Sequence, residues 1–150
     1  MVSSAPFEAA MAAVQARETT VIFRRFIMRI ANLLARRQRA TALITGESVG
    51  QVASQTLQNI NVIARASELP VLRPLVGMNK QEIIDRAKAL GTYEISIEPY
   101  RDPCSIHAQN PATWAKLEDV LEIEEQVGIE ALIDETLADH VDEVRITFQR

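Results

Sequence analysis

An α/β domain built on a parallel sheet is what this sequence predicts, and three observations carry the expectation. Short apolar runs alternate with helix-spaced segments from Ala40 to Gly91, the rhythm of βα units joined by short right-handed connections. Gly46 follows directly on the first of those runs, where a strand of a parallel sheet turns toward a ligand crevice. Between Thr20 and Arg39, Ile22, Phe23, Phe26, Ile27, Ile30, Leu33 and Leu34 fall on one arc at about 100° per residue, an amphipathic helix suited to covering such a sheet.

The elements follow in order. Met1–Phe7 is short and apolar with Pro6 near its end, so it reads as a strand or the remnant of one. The Thr20–Arg39 helix carries Arg25, Arg29, Arg36 and Arg39 opposite its apolar arc, with Arg24 at the edge between the faces. Ala40–Thr45 reads as a buried strand, Val49–Ala66 as a helix, and Leu69–Leu75, bracketed by Pro70 and Pro74, as a second strand. Asn79-Lys80-Gln81-Glu82 has the form of a helix cap with its reciprocal acid, and Gly91 ends the helix it opens. Thr92–Pro111 is polar, contains three prolines and lacks a period; it reads as a loop with at most one short strand. Trp114–Ala138 is helical and acidic with a break near Gly128, and Val141–Phe148 alternates as a weak closing strand.

Composition limits the function. The chain has 150 residues, 47% of them hydrophobic, enough for one sizeable core and too few for two ordinary domains. No apolar run approaches the roughly 20 residues that cross a bilayer, and the start has no basic and apolar leader, so a cytoplasmic protein without membrane contact is expected. The single cysteine excludes an internal disulfide and any metal site needing two thiolates, and no metal-binding residue is assigned. A net charge of −4 offers no whole-chain argument for nucleic acid.

Three segments have residues suited to chemistry, each with a plainer reading beside it. Thr45-Gly46-Glu47-Ser48-Val49-Gly50-Gln51 lies between strand and helix, where backbone amides and a helix N-terminus receive an anion or a nucleotide; an ordinary turn capped by Ser48 has the same spacing. Gln51, Ser54, Gln55 and Gln58 read as a solvated face. Cys104 stands beside Pro103 in a polar loop with Arg101, Asp102 and His107, where a thiol gains thiolate character, although lone cysteines commonly serve as small core residues. His107 and His140 have no visible partner and receive no role. The arginine stripe suits phosphates, yet a solvated face, or pairing with Glu118, Asp119, Glu122, Glu124 and Glu125, accounts for it equally.

Read as a string, Thr45-Gly46-Glu47-Ser48-Val49-Gly50-Gln51-Val52-Ala53-Ser54-Gln55-Thr56-Leu57 resembles the signature of the tRNA 4-thiouridine synthetases, or tRNA sulfurtransferases, a family linked to thiamine biosynthesis. The similarity continues through Leu69–Met78, Lys80–Ile84, Gly91–Ile97 and Pro99-Tyr100 to Cys104, and Arg24–Ala31 resembles the helix preceding the signature. It covers residues 20 to 107. The resemblance implies a Rossmann-like PP-loop domain of the adenine nucleotide alpha hydrolase type, which uses ATP, with Mg in the complete domain, to adenylate a uridine carbonyl before sulfur displaces AMP. By position in the motif, Arg24, Gly46 and Gln55 would contact ATP, and Cys104 would be the catalytic cysteine. The implied partners are tRNA and a cysteine desulfurase or other persulfide donor.

The family's phosphate loop, a Ser-Gly-Gly-x-Asp-Ser stretch, occurs nowhere in the sequence, nor do its RNA-binding modules. The expectation is therefore a carboxy-terminal piece: residues 1–107 as the C-terminal half of the PP-loop domain and 108–150 as its helical extension. The N-terminal half would come from elsewhere as a further partner. Alone, the chain should bind ATP weakly or not at all and be inactive, and a sheet edge left open favours homo-oligomers. The competing expectation is a non-catalytic adaptor or assembly module that has lost nucleotide chemistry.

Overall fold

The structure, a computed structural model, describes residues 1–14, 16–99 and 110–143. Helix α1 spans Ala5–Met11 and α2 Thr19–Arg37; strand β1 is Leu43–Ile44, and a single 3-10 turn, Ala53–Gln55, precedes α3, Leu57–Ala64. Strand β2 is Val71–Leu72, followed by α4 (Lys80–Ala89), α5 (Tyr93–Ser96), α6 (Leu117–Gln126) and α7 (Ile129–Asp139). The strands pair in parallel, Leu43 opposite Val71 and Ile44 opposite Leu72, so the α/β crossover through α3 is as expected. Among the described residues, no helix is long and apolar enough to cross a membrane.

Helix α2 is the axis of the core. Phe7 of α1 packs against Phe23 and Phe26 with ring centroids 5.1 and 5.2 Å apart. Val62 and Ile63 of α3, Val120 of α6, and Ile129 and Ile133 of α7 close around the same helix. Leu43 and Val71 face this core, whereas Ile44 and Leu72 lie together on the open face of the sheet, 73% and 53% exposed.

Four expectations are corrected. Residues 1–7 do not form a strand: Pro6 sits in the first turn of α1, where a missing N–H breaks no helical bond, and only Val2 keeps a strand-like bridge, antiparallel to Val141. Of the expected closing strand, the described residues show only this isolated bridge at Val141; residues 144–150 lie outside the described residues. Both core strands are shorter than their apolar runs, because Pro70 and Pro74 have no N–H for a ladder and Arg39 turns the chain at φ 56° just before β1. Helix α3 begins at Leu57 rather than Val49. Its cap is Thr56, whose hydroxyl accepts from the Asn59 N–H, and residues 45–56 run as a long irregular excursion that includes the 3-10 turn instead of a tight turn. The loop expected after Gly91 holds the short helix α5.

Other local signals are as expected. Asn79 Oδ1 accepts from the Glu82 N–H at 3.0 Å while Glu82 Oε2 accepts from the Asn79 N–H at 2.7 Å, the full reciprocal cap. Gly128 separates α6 from α7 at φ 66° with open space where a Cβ would stand, so only the backbone demands glycine. Gly128→Ala is expected to cost about 1–2 kcal/mol from the left-handed backbone alone, read as a lowered melting temperature with an unchanged helical spectrum.

Candidate functional site

A polar cluster stands at the carboxyl ends of β1 and β2, the place where parallel α/β sheets take ligands. Its centre is Glu47, three residues beyond β1, with its side chain 4% exposed. One carboxylate oxygen accepts from Arg24 Nη1 of α2 at 2.8 Å. The other accepts from Arg73 Nε, just past β2, at 2.7 Å and from Thr45 Oγ1 at 3.0 Å. A charge buried this far persists only when paired and hydrogen-bonded, and Glu47 has both.

The excursion from 46 to 56 is held on two sides. Val49 N–H donates to Val76 O at 3.1 Å and Ser48 Oγ to Met78 O at 2.6 Å, tying it to the segment after β2. Gln55 accepts twice: its side-chain Oε1 from the Ser48 N–H at 3.1 Å and its backbone oxygen from the Gly50 N–H at 2.9 Å. Gly50 adopts φ 77° to close this loop, and Gly46 has nothing within 4 Å of where a Cβ would be. Arg24, Gly46 and Gln55 are thus brought together around residues 46–50. Ser48 is not a helix cap; its hydroxyl bridges to the second strand's loop.

The polar set read as a solvated face is mostly structural. Ser54 is buried, Gln55 fixes the loop, and Gln58 Nε2 donates to Ala115 O at 3.1 Å; only Gln51 is exposed. The arginine stripe also divides. Arg25, 3% exposed, forks onto Glu124 of α6 (Nε to Oε1 2.7 Å, Nη2 to Oε2 3.2 Å), and its Nη1 donates to Val62 O at 2.6 Å. Arg29 reaches Glu124 at 2.7 Å, and Arg36 pairs with Glu68. The acidic helix is therefore the partner of the inner arginines. Conversely, Ile27 and Leu33 of the apolar arc are partly exposed, because α2 is wrapped by neighbours on more than one side.

Cys104 and His107 lie outside the described residues. Downstream of them, residues 112–115 are anchored on the start of α3: Ala112 N–H donates to Arg17 O, Thr56 Oγ1 to Thr113 O, and Asn59, fully buried, accepts from the Ala115 N–H and donates to Ala53 O and Ala112 O, each at 2.8–2.9 Å. Residues 112–115 are thereby fastened next to Gln55. Glu47 and Arg73 are letters within the motif strings and Asn59 lies outside them; a carboxylate between an arginine of α2 and one just past β2 has no local signal, since its partners lie 23 and 26 residues away.

A helix-covered parallel α/β fold with a polar cluster at the strands' carboxyl ends is the architecture in which nucleotide-binding domains place their ligand. The family model described as "Thiamine biosynthesis protein (ThiI)" matches residues 5–129. A protein of Caldanaerobacter subterraneus subsp. tengcongensis named "Probable tRNA sulfurtransferase" is 54% identical over 120 residues, which cover 79% of this chain and 32% of that protein. One of the same name from Finegoldia magna is 47% identical over 131 residues, covering 87% and 33%. A solved structure, the crystal structure of a 4-thiouridine synthetase–RNA complex with bound ATP, superposes with a TM-score of 0.83 at 38% identity, covering 93% of this chain and 37% of that one. The chain belongs to the ThiI family of tRNA sulfurtransferases and has the Rossmann-like α/β fold of the PP-loop domain. It spans about a third of the length of the curated relatives it matches.

Proposed function

We propose that this chain is the C-terminal half of the PP-loop domain of an ATP-dependent tRNA sulfurtransferase. The observation that carries the reading is the convergence of Arg24, Gly46 and Gln55 at the strands' carboxyl ends, within a stretch the family model matches. In the proposed reaction a tRNA uridine oxygen attacks ATP, pyrophosphate leaves, and sulfur then displaces AMP to give 4-thiouridine. Arg24 supplies positive charge to the nucleotide; Gly46, without a side chain, lets it approach the backbone; Gln55 holds the loop that receives it. Both oxygens of Glu47 are already engaged, so this carboxylate does not fit the magnesium that the family implies.

Cys104 is the sulfur site in this reading. Its thiolate attacks the outer sulfur of a persulfide on a cysteine desulfurase or other donor, the donor's S–S bond breaks, and the donor thiolate leaves. Use of the same sulfur for the thiazole of thiamine, and a place in the cytoplasm with tRNA, belong to the proposal. Residues 1–107 form the half-domain and 108–150 its helical extension, a division compatible with α6 and α7 packing on α2 in one core. The N-terminal half, with the phosphate loop, is the proposed occupant of the open sheet face at Ile44 and Leu72. Support comes from that face's exposure and from the third of each relative's length that this chain spans.

The test uses the single cysteine. After incubation with a cysteine desulfurase and cysteine, mass spectrometry is expected to find one added sulfur at Cys104, removable by a thiol reductant and absent from Cys104→Ser. An unmodified Cys104 beside a persulfide-loaded desulfurase sinks the sulfur-carrier role and favours the adaptor reading.

A further inference from the structure

Glu47 has more positive charge around it than its own neutralisation needs. Arg24 and Arg73 both bind it, so the three side chains sum to +1 (two minus one) at the carboxyl ends of two parallel strands. The donors are also incompletely used. Arg24 gives Nη1 to Glu47. Arg73 gives Nε to Glu47, and its Nη1 lies 3.5 Å from Val71 O, too long for a strong bond. Arg73 Nη2 is shielded from solvent and has no hydrogen-bond partner among the described residues. Shielded N–H groups are ordinarily paired, so an open donor on a held guanidinium marks a place for an acceptor.

From this geometry we propose that Arg73 is a second cation of the nucleotide site and that Glu47 is the positioning residue that holds Arg24 and Arg73 together for a phosphate oxygen of the bound nucleotide. The inference rests on the reading that Arg24 contacts the nucleotide. Guanidinium N–H donors match phosphate oxygens, and a guanidinium already fixed through Nε loses little freedom when it binds. Charge and position make opposite forecasts for Glu47→Gln. That variant raises the cluster's charge, which by attraction alone would tighten anion binding; if Glu47 acts by position, binding weakens instead.

The experiment follows arginine Nε–H signals by NMR in the complete 150-residue chain during titration with ATP and, separately, with adenosine. ATP up to about 10 mM is expected to shift the Arg24 and Arg73 signals, a range that detects weak binding. Arg73→Gln is expected to weaken ATP about tenfold and leave adenosine unchanged, with Arg73→Lys failing to restore it because lysine has no fork. Glu47→Gln is expected to weaken ATP several-fold despite its added charge. Should Glu47→Gln unfold the chain, Arg73→Gln still decides, since its arginine is at the margin of the core with 16% exposure. Loss of ATP and adenosine alike in Arg73→Gln makes Arg73 structural and overturns the inference, as does a wild-type titration without ATP-dependent shifts. If Arg24→Gln loses ATP while Arg73→Gln and Glu47→Gln keep it, the inference falls and the nucleotide reading of Arg24 stands. If Arg24→Gln also keeps ATP, both fall.

Discussion

Glu124→Ala is expected to lower the folding stability of this chain by about 3–5 kcal/mol, a large part of what a domain this size has. Glu124 is 2% exposed and is the only carboxylate partner of Arg25 among the described residues; Arg25 is itself 3% exposed, so removal of Glu124 strands a guanidinium charge in the core. Arg29 loses its shorter partner but keeps Glu130, at 3.2 Å. The pair's own net contribution is a separate quantity. Replacing both partners together, as Arg25→Met with Glu124→Leu, is expected to recover most of the loss, because the desolvation cost of both ions disappears with their attraction. Urea denaturation of the two single variants and the double checks this. A double variant as unstable as Glu124→Ala alone would mean that packing, not stranded charge, sets the cost.

Asn59→Ala carries the second large effect, about 2–4 kcal/mol, since it leaves the Ala115 N–H and the Ala53 and Ala112 oxygens without their side-chain partner in a fully buried place. The damage should be local before it is global. Residues 112–115 are fastened to α3 by Asn59, Thr56 and Gln58, and in sequence they follow Cys104. Hydrogen exchange at the Ala115 amide is therefore expected to accelerate more than exchange in the middle of α2. Uniform acceleration across the chain would assign Asn59 to the global core instead. Asn59→Asp separates shape from donor chemistry: it keeps the acceptor for Ala115 but loses the donors to Ala53 and Ala112.

The elements that were legible in the sequence share a physical property: their determinants are close along the chain. The period of α2, the Asn79–Glu82 cap and the left-handed break at Gly128 each involve residues within a turn or two. Misreadings arose where a distant group overrode a local pattern. Val49 and Val52 have helical spacing, yet Ser48 and Val49 are drawn to Met78 and Val76, and Gly50 closes the loop onto Gln55, so the helix waits until Leu57. Met1–Phe7 looked extended because it is apolar and contains proline, but at the first turn of a helix a proline costs nothing.

By itself the sequence determined the family, through the string from Thr45 to Leu57 and its continuation toward Cys104, and with it the α/β class and the positions of Arg24, Gly46 and Gln55 in the motif. Tertiary structure alone decided which arginines of α2 face Glu124 and which one reaches the strands' carboxyl ends, and that Glu47 holds Arg24 and Arg73 on one carboxylate. Burial makes that difference. A guanidinium reads the same in every sequence, and only the carboxylate that folding brings to it, 99 residues away for Arg25 and 23 for Arg24, determines whether its charge is held in the core or at the strands' carboxyl ends.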